Sequence, residues 1–264
     1  WYVQADGDFY SWARAHSVGM DVKISDPRVY VSQVQGPNAL KILEAANEGG
    51  KLPEPFGYFA VAQVNLGGQH VYITRTGYTN ELGWEFYVEP HHDADALWAH
   101  LEQAGKPFGM TLFGLDSMNV RRIEAGILNA GTDFDETTTP FDVGLGRFVD
   151  MDKADFIGKS ALESASKEPR HTGRKCPTAE PVIQGEIMQG DTVIGRVTAA
   201  AFSPFLQHGT GLALLDRTGH QNGEAVRIRC VDGAMHAGEL HAAPFYDDQA
   251  EIPRGKKVDI PTRG

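Results

Sequence analysis

The chain has 264 residues, 41% of them hydrophobic, with 35 acidic against 24 basic side chains and a formal charge of −11. An acidic chain without a Lys/Arg-rich run disfavours nucleic acid as a general partner, because phosphate binding needs clustered cations. No run of 18 apolar residues is present to cross a membrane as a helix, and the length allows one large domain or two modest ones.

Cys176 and Cys230 are too few and too far apart in sequence for a disulfide framework or a CxxC metal site. Both are expected as ordinary thiols in a reducing, cytoplasmic compartment. The chain opens WYVQADGDF, without Met and on a strand-like apolar trio, and reads as a fragment or a processed product.

Residues 8–16 place Phe9, Trp12, Ala13 and His16 at helical spacing. Residues 21–25 and 29–34 read as strands joined at Asp26-Pro27, and Pro37 starts a helix running to about Ala46. Residues 59–66 and 69–76 flank Gly67-Gly68, a hairpin signal. In 84–89 Trp84, Phe86 and Val88 alternate with Glu85, Tyr87 and Glu89, as in a half-buried strand. Ala94, Leu97, Trp98 and Leu101 line an amphipathic helix, and a further helix over 114–125 breaks at Gly126. An apolar strand over 143–149 and a helix over 156–166 are expected next.

A basic linker spans 168–180, and short strands at 185–188, 193–200, 211–215, 225–231 and 235–240 have the spacing of a small β-barrel. The expected organisation is α+β with antiparallel sheets over 1–167, the linker, a barrel over 181–250, and a polar, extended or frayed tail over 251–264.

No GxGxxG, P-loop, GxSxG or HExxH motif is present. His91 and His92 read as surface residues at a helix start. Asp133, Asp135 and Glu136 lack calcium-hand spacing and read as turn chemistry. Two features stand out. Arg122 falls between Leu115 and Met118 on the apolar stripe of its helix, and so needs a partner, either Glu124 or Asp116 or an anionic or amide-bearing ligand; Arg121 points further out. Glu81 sits on the loop 75–83, whose two glycines suit tight turns, and could accept two N–H donors from a planar heterocycle.

Five stretches in order, YTNELGWEF, RRIEAG, DETTTPFDVGLGRFVD, DFIGKSAL and GRVTAAAFSPFLQHGTGLALL, resemble the glycine-cleavage T-protein superfamily of tetrahydrofolate-dependent aminomethyltransferases and related demethylases. The resemblance runs from about Val34 to Phe245. It implies a folate-binding α+β body followed by a small C-terminal β-barrel, with tetrahydrofolate as cofactor and a small-molecule or lipoyl-bound one-carbon donor as partner. It further implies that Glu81 binds the pterin edge, that Tyr78 lies near the same pocket, that Arg122 faces the ligand, and that Ser203-Pro204 approach the pocket mouth. Asn80 and Leu82 depart from the family's loop. The family's catalytic aspartate belongs to a segment preceding this chain, so no catalytic residue is assigned. A demethylase, a folate domain fused to a flavoprotein, and a non-catalytic folate-binding protein of the same fold are the alternatives.

Overall fold

The computed structural model describes residues 7–258. The apolar trio at the start and the last six positions of the tail lie outside them. After helix α1 (Gly7–His16), strand β1 (Tyr30–Gln35) and helix α2 (Ala39–Ala46) come β2 (Val61–Leu66), β3 (Gln69–Thr74), β4 (Gly83–Val88) and helix α3 (Ala94–Gly105). The four strands form one antiparallel sheet in the order β1-β4-β3-β2. Gly67 and Gly68 both hold positive φ, 60° and 80°, as a two-residue hairpin turn requires.

The alternation in β4 works as expected. Trp84, Phe86 and Val88 enter a core with Leu43, Leu66, Ile73 and Leu97 from the hairpin and the two helices. Glu85 and Tyr87 stay half-buried on the opposite face. Each large core side chain contributes about 2 kcal/mol by leaving water. Trp98, placed by its spacing on the apolar stripe, is 50% exposed.

Helix α4 (Leu115–Glu124) leads into a long loop, a 3-10 turn (Gly146–Phe148) and helix α5 (Lys159–Ser164). A closed barrel follows: β5 (His171–Cys176), β6 (Glu186–Gln189), β7 (Thr192–Ser203), β8 (His208–Leu215), β9 (Ala225–Arg229) and β10 (Met235–His241), in the order β10-β5-β8-β7-β6-β9. Helix α4 docks on it through Ile123, which is fully buried with Ala199, Ala201 and Leu212. At the end of α4, Gly126 has φ 70°, and a Cβ there would meet Ala243 Cβ at 2.7 Å. The glycine lets the helix end lie against the chain leaving the barrel.

Several expectations are corrected. Residues 21–25 form no strand, and Val22 is 57% exposed. Residues 143–149 are turns because Gly144 takes φ 75° and the backbone folds back, Leu145 N–H donating to Pro140 O at 2.8 Å. The helix expected over 156–166 shortens to α5, following a left-handed Gly158. The expected linker contains β5, which closes the barrel; its Gly and basic residues masked a strand half of whose positions face inward. Residues 251–255 are hydrogen-bonded turns rather than extended chain, with Glu251 and Ile252 N–H donating to Asp247.

The barrel brings Cys176 and Cys230 to an Sγ–Sγ distance of 3.6 Å, both free and buried. Burial, with Cys176 beside it, pushes the Cys230 thiol up to about 12. Since the thiolate is the reactive form, the native chain is expected to react with a thiol reagent only on unfolding, when two equivalents titrate. Rapid labelling of the native chain would contradict this packing.

Candidate ligand site between the body and the barrel

The loop carrying Tyr78 and Glu81 is tied to β1 by Gln35, whose Nε2 donates to Thr76 O at 3.1 Å and whose Oε1 accepts from Thr79 Oγ1 at 3.0 Å. The two loop glycines serve that contact rather than tight turns. A Cβ on Gly77 or Gly83 would overlap the Gln35 amide, and neither has positive φ. The left-handed position is Asn80, φ 57°, a conformation that asparagine tolerates better than most residues. Leu82 is buried in the sheet core. Glu81 is therefore held between two anchored neighbours.

Arg121, expected to point outward, is the residue that meets Glu81. Its guanidinium donates to Glu81 Oε1 and, at 2.5 Å, to Glu124 Oε2. Arg121 also lies over the Tyr246 ring, 5.2 Å from the centroid. Glu124 is fully buried and well supplied: Ser203 Oγ donates at 2.5 Å, and the Tyr246 hydroxyl at 3.5 Å. Ser203, fully buried, is thus committed to Glu124. Glu81 has fewer donors, and its second oxygen accepts no hydrogen bond from the described residues. Burial raises the Glu81 carboxyl above the usual range, Arg121 opposes this, and Glu124 and Asp247 add to it.

Arg122 is 5% exposed and paired with neither Glu124 nor Asp116. Its partner is Asp133, 2.5 Å away, with Asn119 Oδ1 at 2.9 Å and Ile127 O at 3.3 Å accepting as well. Asp133, expected as turn chemistry, is fully buried. It also accepts from Thr198 Oγ1 of β7 at 2.5 Å and from Asn129 N–H at 2.9 Å. Burial pushes its carboxyl up, but nearby His171, Thr198, Arg122 and the Asn129 amide outweigh that and hold it below the usual range. Asp135 does make the expected turn, accepting from Thr137 N–H and Oγ1. Tyr78 donates to Leu128 O at 2.6 Å, so Tyr78 and Arg122 grip the same loop. Glu81 stands apart from them, beside Arg121.

The half-buried polar face of the sheet adds two groups that no motif marks. Glu85 and Gln33 are cross-strand partners in register and share that face. Glu85 accepts from Thr76 Oγ1, and Gln33 Oε1 is buried without any donor. The strand alternation in 84–88 was the available signal: Glu85 is polar on a half-buried face. His91 and His92 lie with ring centroids 4.1 Å apart, near Glu89. Both His92 nitrogens are engaged, Nδ1 accepting from Glu89 N–H and Nε2 bonding to His70 O, which removes the lone pair a metal needs.

The order of a mixed body followed by a closed barrel is shared with known proteins. Residues 3–153 match the GCVT N-terminal domain, and residues 173–247 match the glycine cleavage T-protein C-terminal barrel domain. An aminomethyltransferase of Alkaliphilus oremlandii is 36% identical over 250 residues, covering 92% of this chain and 66% of that protein. One from Caldanaerobacter subterraneus is 33% identical over 227 residues, covering 83% and 60%. A trimethylamine-oxide aldolase of Ruegeria pomeroyi is 33% identical over 264 residues, covering 92% of this chain and 33% of that protein. The crystal structure of glycine cleavage system aminomethyltransferase T from Bartonella henselae shares the fold at TM-score 0.79 and 24% identity, covering 91% of this chain and 66% of that one. The chain therefore spans between a third and two thirds of these proteins' lengths.

Proposed function

The chain belongs to the glycine-cleavage T-protein family, and from that premise we propose that it is the folate-binding and barrel portion of a one-carbon transferase. Tetrahydrofolate is the proposed cofactor; when bound it supplies the nitrogen that accepts or donates the one-carbon unit. What supports a folate site is a surplus of acceptors on and beside the polar sheet face. Glu81 has a carboxylate oxygen without a donor, Glu85 lies in register with Gln33, and Gln33 Oε1 is buried and unpartnered. A pterin edge is rich in N–H donors, and buried acceptors without partners are costly, so the two complement each other.

In this reading the chain's residues bind and orient rather than perform bond chemistry. Glu81 and Glu85 accept from the ring edge, and Tyr78 and Arg122 fix the loop that walls the site. The donor follows the named relatives. An aminomethyl group carried on a lipoyl arm is the first choice, because most of these relatives are aminomethyltransferases. A small methylated amine is the second, favoured by the trimethylamine-oxide aldolase relative, which aligns over 92% of this chain.

The test is calorimetric titration with a stable reduced folate. Glu81→Gln and Glu85→Gln are each expected to weaken binding about tenfold or more, as for loss of a charged hydrogen bond. Unchanged affinity in both variants, with the wild-type chain binding, would place the folate elsewhere.

A further inference from the structure

A cavity away from Glu81 and Glu85 lies between the two lobes, and its charge is opposite to that of the chain. It encloses about 440 Å³ and is lined by Arg147 from the body, Arg170 and His171 at the crossover, and Arg217 and His220 from the barrel, with no Asp or Glu among its lining residues. In a chain with 35 acidic and 24 basic side chains, a lining free of Asp and Glu that carries two guanidiniums without a carboxylate partner, Arg147 and Arg217, is a local reversal of sign.

The cations are not all consumed by the fold. Arg170 is, donating to Asp142 at 2.7 Å and to Leu215 O at 3.2 Å. Arg147 rests on the Phe148 ring at 4.8 Å, a contact that leaves its N–H groups free, and neither Arg147 nor Arg217 makes a side-chain hydrogen bond or ion pair among the described residues. His171 and His220 have side chains only 7% and 9% exposed; His220 Nδ1 is paired with Glu224 at 2.9 Å, and each ring has a buried Nε2 without a hydrogen-bond partner. His171 Nε2 lies 3.9 Å from Asp133, too far for a hydrogen bond. The volume is that of a small-molecule site, and junctions between lobes are where such sites concentrate.

We propose that this cleft binds a small anion bearing carboxylate or phosphate oxygens, gripped by Arg147 from the body and Arg217 from the barrel. Guanidinium forks match planar two-oxygen groups bidentately, which suits both anion types. Because the two arginines come from different lobes, the anion bridges body and barrel, and its binding stabilises the docked arrangement. The site is separate from the proposed folate acceptors, since neither Glu81 nor Glu85 lines the cavity.

Thermal unfolding at fixed ionic strength, titrated with citrate and, separately, with inorganic phosphate, tests this. The wild-type chain is expected to show a saturable rise in midpoint with at least one of them. Response to one alone supports the site and names its anion. The double variant Arg147→Ala/Arg217→Ala removes exposed side chains and should fold; its half-saturating concentration should rise at least fivefold. Arg227→Ala, an exposed arginine of β9, and Glu81→Gln should both respond as wild type. The proposal is overturned if wild type shows no saturable response at fixed ionic strength. It is also overturned if the double variant responds as wild type, or if Glu81→Gln abolishes the response.

Discussion

Replacing Asp133 by alanine is expected to cost about 3–5 kcal/mol, the loss typical of breaking a buried ion pair from one side. Arg122 would be left 5% exposed with no other carboxylate paired to it among the described residues, and Thr198 and the Asn129 amide would lose their acceptor. Against a total stability of roughly 5–15 kcal/mol, that is a large share. Asp133→Asn keeps the size and one acceptor oxygen and should cost less. The Thr198 bond joins the loop after α4 to β7 of the barrel, so the alanine variant should also loosen the two lobes from each other.

The pH dependence has a definite sign. Asp133 is held below the usual carboxylate range in the folded chain, so its contribution is complete above the unfolded value of about 3.9 and is lost as pH falls through the folded value. Urea unfolding at neutral and acid pH measures both effects. A loss under 1 kcal/mol at neutral pH would show that Arg122 finds another counter-charge.

The comparison between sequence and structure separates two kinds of information. Pattern carried the sheet: alternation in 84–88, Gly-Gly in the hairpin, and evenly spaced short strands in the barrel each encode a local geometry that tertiary packing did not override. It failed where glycine broke a strand-like run, as at Gly144, and where a strand was written in basic residues, as in β5. Arg174 of β5 shows why. It is fully buried inside the barrel, donating to Leu212 O and, at 3.2 Å, to Ala199 O, and burial lowers it to about 9. No hydropathy rule places an arginine there.

At the site, helical spacing identified Arg122 as a buried charge in need of a partner but offered the wrong carboxylates. Asp133 lies eleven positions on, across a loop whose path the spacing does not contain. Glu81 was legible as a carboxylate on a constrained loop. Its partner Arg121 was not, because the pairing depends on how the loop and α4 meet in space.

Arg121 supports the second large effect. One guanidinium serves two carboxylates, Glu81 at 22% side-chain exposure and Glu124 at 1%, and Arg121→Ala withdraws it from both. Glu124 keeps Ser203 and Tyr246, but it keeps no cation within the network. The expected cost is about 2–4 kcal/mol, below that for Asp133, because Arg121 is 26% exposed and solvent replaces part of what is lost. Arg121→Met preserves packing on the Tyr246 ring and should lose nearly as much, which assigns the effect to charge.

The pH sense is opposite to that of Asp133. The Glu81 carboxyl already stands above its usual range, so its contribution to stability is complete below the unfolded value and is lost as pH rises through the folded one. Without Arg121, its main opposing influence, that carboxyl moves further up. The deficit of Arg121→Ala should therefore be widest at neutral pH and narrow on acidification, while the alanine variant at Asp133 converges on wild type only where Asp133 itself becomes protonated. Midpoints of both variants measured across the acid range distinguish the two. A deficit for Arg121→Ala that stays constant between neutral pH and the carboxylate range would mean that Arg121 contributes packing on Tyr246 rather than charge at Glu81.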